Sequence, residues 1–377
     1  MPTFVDALAG LIGHALLFSS TMSAADMSLE ECRGGDSTRM SDIQAIGSHN
    51  SYKIAIPDAE LALIRRQNEA AALGLDYSHV PITEQLDLGM RQLELDIFHD
   101  PSGGRYAKPR LRQAAALLNG GKVVDDYDLS AHAAPGFKVM HIQDIDFRSH
   151  CVLFVDCLKD IDAWSTANPS HEPIIILINA KQGKIEVPMS VTPLPFDAQA
   201  FDAFDAEIRS VLSPDRLITP DDVRGDSPTL REAVLSKGWP LLEEARGKIF
   251  FALDESSTVV TSYLRDRPSL EGLPVFVKTV SETADHAAYF TINDPIRDGE
   301  RIKRVTDQGF IVRTRADADT REARANDRSR LDAALSSGAQ YISTDYYYPR
   351  KEFGDYSARL PGGKTARCRR DGIADAE

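Results

Sequence analysis

Apolar residues along this chain recur in short, near-continuous runs separated by longer amphipathic stretches. In order, the runs are Ile43–Gly47, Gln92–Phe98, Phe137–Ile142, Ile174–Ile178, Lys248–Leu253, Val275–Val280, Gly309–Arg313 and Gln340–Thr344. The stretch from Ile174 to Ile178 contains no polar residue, the pattern of a parallel strand covered on both faces. Between the runs, Pro57–Leu73, Phe196–Leu212, Leu230–Ala245 and Thr320–Ser337 read as helices. Strands alternating with helices in this number predict an α/β fold, a (β/α)8 TIM-like barrel. An open doubly wound sheet would need a phosphate-binding glycine fingerprint after its first strand, and none follows Gly47.

Two regions break the alternation. Asp100–Pro135 is a long insertion with glycine pairs at Gly103-Gly104 and Gly120-Gly121, and Ser213–Thr229 carries three prolines and reads as loop. Neither holds enough apolar residues for a core of its own, so residues 26–377 are expected to form a single catalytic barrel domain with an insertion at about 100–136. Ahead of it, the apolar stretch Ala7–Leu17 and the small residues Ser23-Ala24-Ala25 resemble an export signal, weakened by the lack of a preceding Lys or Arg. That pattern predicts a secreted or periplasmic protein. The four cysteines then suggest disulfides, with Cys151 closing a small loop to Cys157 and Cys32 joined to Cys368. The alternative is four buried free thiols.

A net charge of −14 over 377 residues argues against a nucleic-acid binder, which normally shows a basic domain or stripe. The chemistry is better sought at strand ends, because barrel enzymes react at the carboxyl face of the sheet. The first run ends in Gly47-Ser48-His49-Asn50-Ser51-Tyr52, and the second contains Leu93-Glu94-Leu95-Asp96. Strand alternation points Glu94 and Asp96 to one side and the leucines to the other. The third run ends in Met140-His141-Ile142-Gln143-Asp144 and the fourth in Ile178-Asn179-Ala180-Lys181. Two inward carboxylates on one strand face repel unless a cation or a basic partner lies beside them. Carboxylate and amide oxygens are hard ligands, favouring Ca2+ or Mg2+ over zinc. The competing reading of Glu94 and Asp96 is a pair of solvated strand-end acids. Arg313 and Arg315 alternate on the seventh run and, with Lys181 and Asp345, can contact a phosphate or a polyol; an ion pair within the barrel is the equal alternative. Tyr346-Tyr347-Tyr348 reads as a packed loop rather than a lipid-facing rim.

Taken together, Ile46-Gly47-Ser48-His49-Asn50-Ser51-Tyr52, Leu93-Glu94-Leu95-Asp96, Gly136 through Asp146, Ile311 through Ala318 and Gly338 through Tyr346 resemble the calcium-dependent phosphatidylinositol-specific phospholipase C family of bacteria and fungi. The resemblance covers nearly the whole chain after residue 40. It implies one bound Ca2+, with Asn50, Glu94 and Asp96 as metal ligands and His49 and His141 as the catalytic pair. One position departs. Where such enzymes usually carry a glutamate ahead of a lysine, this chain has Asn179 ahead of Lys181; its amide oxygen can serve as a fourth metal ligand, but the site loses a negative charge.

The expected reaction is cleavage of a phosphodiester by a neighbouring hydroxyl activated at the metal. Glu94 is a candidate proton acceptor, His49 steadies the pentavalent phosphate, and His141 protonates the leaving alkoxide. The substrate class is a phospholipid or glycerophosphodiester, met in transient contact with a membrane surface. Two alternatives remain at this level. One is a glycerophosphodiester phosphodiesterase or phospholipase D-like enzyme on a related barrel, and the other is a non-catalytic headgroup-binding protein. The latter would have no need of both His49 and His141.

Overall fold

The computed structural model describes Leu29, Cys32 and residues 37–374, and its strands join in one ten-stranded sheet. In chain order they are β1 (Ile43–Ser48), β2 (Gln92–Phe98), β3 (Lys138–Val139), β4 (Ile174–Ala180), β5 (Ile249–Leu253), β6 (Val275–Val277), β7 (Tyr289–Thr291), β8 (Ile311–Arg315), β9 (Tyr341–Thr344) and β10 (Ala366–Cys368). Eight run parallel in the order β6-β5-β4-β2-β1-β9-β8-β7. A parallel bridge between Lys278 and Tyr289 brings β7 beside the end of β6, so the ring is nearly closed. This is the expected barrel. Phe250 of β5 and Tyr341 of β9, from different sides of the ring, have centroids 6.0 Å apart and fill the interior near the amino ends of the strands.

Two strand assignments change. The Phe137–Ile142 run supplies only β3, which lies off the ring and pairs antiparallel with β2, Val139 opposite Ile97 and Lys138 opposite Phe98. Its apolar content reflects cover on both sides, since Lys138 also bridges to Leu153. Burial sets the apolar pattern; direction leaves no mark on it. The missing barrel strand is β7, only three residues long. Helices also break where the sequence read them as continuous. The stretch after Pro57 divides at Asn68, whose side chain accepts from the Ala71 amide and caps the helix Glu69–Leu75. Thr320–Ser337 divides at Asn326, in the left-handed region. Leu230–Ala245 divides into Leu230–Ser236 and Leu242–Ala245. Phe196–Leu212 forms a helix at Ala198–Val211, capped by Asp197.

Gly47 has a specific task in β1. A Cβ there would lie 2.4 Å from the Gln92 side chain and carbonyl, so only glycine lets β1 and β2 approach at this level. Both disulfides form, Cys32–Cys368 and Cys151–Cys157, and no cysteine is free; the free-thiol alternative falls. Cys368 ends β10, which pairs antiparallel with β1, Ile43 opposite Cys368. Among the described residues no helix is long and apolar enough to cross a membrane. The Ala7–Leu17 stretch and Ser23-Ala24-Ala25 lie outside the described residues.

Candidate active site

At the carboxyl end of β1 the chain turns through Ser48-His49-Asn50, with Asn50 in the left-handed region at φ 49°. That turn presents His49 to the barrel mouth. Its Nδ1 lies 2.8 Å from Oδ1 of Asp345, the residue after β9. An imidazole nitrogen that close to a carboxylate carries the proton, so Nε2 is the proton-accepting atom. Nε2 is 3.7 Å from Glu94 Oε1. Arg315 donates to Asp345 Oδ2 at 3.2 Å and packs within 3.4 Å of the His49 ring nitrogens. Burial, then the Arg315 cation, push the His49 pKa well below the usual value, which keeps the ring neutral at pH 7.

His141 reaches the same space by another route. Because β3 runs antiparallel to β2, it descends from the rim, and the Met140 amide bonds to the Asp96 carbonyl. A tight turn follows in which Asp144 takes φ 68° and Ile142 pairs with Asp146. The turn folds Asp146 back, so that its Oδ2 meets His141 Nδ1 at 2.9 Å. Lys53 Nζ is 2.8 Å from the same oxygen, and both Lys53 and Asp146 are buried. Burial pushes the Asp146 pKa up, but Lys53 and the His141 hydrogen bond outweigh it and hold the carboxyl below its usual range. His49, His141 and Arg315 line one cavity of about 730 Å³, closed on another side by Leu73, Leu75 and Tyr77. A second cavity of about 440 Å³ runs from His141 to Lys181 and Glu255.

The acids lie beneath these openings. Glu94, Asp96 and Asn50 are buried, which removes the reading of Glu94 and Asp96 as solvated acids. Each carboxylate has a basic neighbour: Arg313 donates to Glu94 Oε2 at 2.6 Å, and Lys181 Nζ sits 2.9 Å from Asp96 Oδ2. Asn179, opposite Asp96 in the sheet register, donates to Glu94 Oε1 at 3.0 Å. Lys181, Arg313, Arg315 and Asp345 are therefore all ion-paired at the mouth. The ten residues singled out in the sequence gather at one end of the barrel.

The donor set suits a hard cation. Of the buried Asp96 oxygens, Oδ2 has Lys181 Nζ at 2.9 Å, whereas Oδ1 has no hydrogen-bond partner, so Oδ1 is the atom open to a cation. Asn50 turns its amide oxygen to Tyr52 at a long 3.3 Å, a weak bond that a metal would readily replace. Two of the four candidate ligands are amides, and among the described residues no group of three His, Cys, Asp or Glu side chains forms a metal cluster. Carboxylate and amide oxygens are hard donors, suited to Ca2+ or Mg2+ rather than to zinc. Lys181 and Arg313 compete with a metal for the same carboxylates.

Several supporting residues were invisible in the sequence pattern. Tyr77 accepts from Asn50 Nδ2 at 2.6 Å and stacks on His49. His79 lies 2.7 Å from the His49 carbonyl oxygen, and Asn293 receives Arg313. Lys53 and Asp146 complete the support of His141. Only Asp146, five residues from His141 within an acid-rich turn, left a local signal.

The sequence profile described as "Phosphoinositide phospholipase C, Ca2+-dependent" matches residues 38–370 of this chain. No curated protein matches. Among solved structures, the myoinositol complex of a calcium-dependent phosphoinositol-specific phospholipase C from a Gram-negative Pseudomonas sp. aligns with a TM-score of 0.51 at 17% identity, covering 88% of this chain and 95% of that one. A Ca2+-dependent phosphatidylinositol-specific phospholipase C from Streptomyces antibioticus aligns with a TM-score of 0.51 at 18% identity, covering 82% and 96%. At such identities these two show a shared fold.

Proposed function

This chain belongs to the Ca2+-dependent phosphoinositide phospholipase C family, and from that premise we propose that it cleaves phosphatidylinositol-type phospholipids to diacylglycerol and a cyclic inositol phosphate. The observation that carries this reading is a pair of imidazoles lining one cavity, each with Nδ1 held by a buried carboxylate. That arrangement suits one acid and one base acting on opposite sides of a phosphorus atom.

His49, neutral and with Nε2 facing away from Asp345, accepts the proton of the attacking headgroup hydroxyl. This role is assigned to His49 rather than Glu94, because the Glu94 carboxylate is ion-paired with Arg313 and belongs to the set that would hold the metal. His141 delivers a proton to the leaving glycerol oxygen, and Asp146 steadies the cation before transfer. Arg315 lies where it can bind a non-bridging phosphate oxygen, and Lys181 borders the second cavity, suited to headgroup hydroxyls. Asn50, Glu94 and Asp96, with Asn179, would hold a calcium ion. When bound, it supplies Lewis-acid polarisation of the phosphate and a lowered hydroxyl pKa. Export to an oxidising compartment is part of this proposal, supported by the two disulfides.

Phosphorus NMR during turnover of phosphatidylinositol, with calcium and with chelator, tests the reading. A cyclic phosphate at the earliest time points, lost on chelation, is the expected result. Phosphatidic acid would favour a phospholipase D, and a linear phosphate from the start would favour direct water attack.

A further inference from the structure

Nine large apolar side chains are exposed among the described residues, and their distribution is uneven. Leu88 and Leu235 precede β2 and β5, on the side away from the site. The others sit on segments that leave the carboxyl ends of barrel strands. Met189 follows β4, Val280 follows β6, Ile296 follows β7 and Tyr348 follows β9. Leu117, Leu118 and Val123 belong to the insertion after β2 and are 79%, 71% and 57% exposed. Scattered single apolar residues need no explanation, but a bias to one face does.

The insertion concentrates this feature. Both its ends are tied to the barrel rim, since Phe98 pairs with Lys138 and the Gly136 amide bonds to the Asp100 carbonyl. Its helix, Arg110–Leu118, starts beside the turn that holds His141, where the Arg110 and Leu111 amides bond to Asp144. Leu111 and Ala115 face inward, and Leu117 and Leu118 occupy the outer end. Charge adds a second observation. Residues 101–122 contain Arg105, Lys108, Arg110, Arg112 and Lys122 and no acid, in a chain of net charge −14; Asp125, Asp126 and Asp128 follow, and the exposed basic residues of the insertion still outnumber its exposed acids. Arg105, Lys108, Arg110 and Lys122 are exposed, and Arg112 pairs with Asp125.

A strongly acidic protein is repelled by an anionic surface, except through a face whose local charge is reversed. At physiological salt the field of distant acids fades over roughly 8 Å, so approach through the insertion is attractive. Exposed leucines next to lysine and arginine match the boundary of an anionic bilayer, where apolar side chains enter the acyl region and cations meet headgroups. We infer that the insertion, chiefly Leu117, Leu118, Val123 and the basic residues of 105–122, docks the barrel mouth onto an anionic lipid surface. The inference rests on the phospholipid reading above and assigns the surface that brings the site to its substrate.

Sedimentation with vesicles of phosphatidylcholine, alone or mixed with phosphatidylglycerol, tests it. Neither lipid carries inositol, so the outcome is independent of what the site cleaves, and phosphorus NMR judges that separately. The wild-type protein should bind the mixed vesicles more tightly than phosphatidylcholine alone and release as salt is raised. The variant L117S/L118S should bind about tenfold more weakly or worse, with unchanged turnover of a water-soluble short-chain substrate and an unchanged far-UV circular dichroism spectrum. A second variant, K108E/K122E, should lose the preference for phosphatidylglycerol while keeping that turnover. No binding by the wild type, or binding by both variants as tight and as selective as the wild type's, overturns the inference. So does a concentration-dependent dimer that L117S/L118S abolishes, which would mean that a second copy covers these leucines.

Discussion

Replacing Asp146 by asparagine separates two effects that its position combines. Asp146 and Lys53 are 1% and 0% exposed, with Nζ 2.8 Å from the carboxylate. Asp146→Asn leaves the ammonium buried against a neutral amide, an imbalance that costs about 3–5 kcal/mol. The same change removes the negative charge that faces His141 Nδ1 at 2.9 Å. It leaves a single amide oxygen, which Lys53 also claims, so that the amide nitrogen turned to the ring can only donate. Without the carboxylate the imidazole loses its fixed tautomer and the charge that steadies its cation. A positioned acid contributes about 10²–10⁴-fold, so kcat should fall by about a hundredfold or more. The second variant, Lys53→Met combined with Asp146→Asn, removes the stranded charge as well. It should regain most of the stability but little of the rate, because the charge that steadies the His141 cation stays absent. Urea unfolding at pH 7 gives the first quantity, and kcat on phosphatidylinositol gives the second. A substrate with a good leaving group adds a further check, since its departure needs little acid help and the rate loss should shrink. Wild-type turnover in the double variant would refute the argument, as would an Asp146→Asn protein as stable as the wild type.

Three further outcomes follow from other parts of the molecule. The Cys32–Cys368 bridge spans 336 residues and Cys151–Cys157 only 6; chain entropy assigns them about 6 and about 2 kcal/mol, so the alanine pair at 32 and 368 should lower the urea midpoint more, and the reverse order would contradict this. Burial and then Asp345 push the Asp317 pKa up to about 7, so the folded state keeps a proton that the unfolded chain releases near pH 4. Stability from this group is present below pH 4 and is lost as pH rises towards 7; Asp317→Asn should flatten that slope in urea titrations at stepped pH, and a parallel curve would exclude Asp317 as its source. Asn179→Glu adds a ligand charge and should tighten calcium binding in calorimetry, while unchanged affinity would show that position 179 does not touch the metal.

Periodicity carried most of the barrel and most of the mouth. Glu94 with Asp96, and Arg313 with Arg315, were legible because alternate strand positions share a face. What failed was set by pairing rather than composition. Phe137–Ile142 is as apolar as a barrel strand, yet β3 runs antiparallel, and no residue type encodes that direction. The short strand Tyr289–Thr291 gives too few alternations to stand out. Tyr77 and Lys53 join the site only through contacts with residues on other segments, such as Asn50 and Asp146. The carboxylate partners of both histidines are at opposite extremes of sequence separation: Asp146 is five residues from His141, and Asp345 is 296 from His49.

The neighbours of β1 also constrain when this barrel can be completed. Ala45 aligns with Tyr341, and Ile43 with Cys368, so the first strand waits for partners about 300 residues downstream. During synthesis, at roughly 5–20 residues per second, β1 therefore spends on the order of 15–60 seconds with one edge unpaired. Contacts this distant in sequence slow folding and leave intermediates prone to association. His49 extends directly from that strand and is held by Asp345, so the acid–base pair is assembled among the last events of folding. Partly folded chains carry no finished active site.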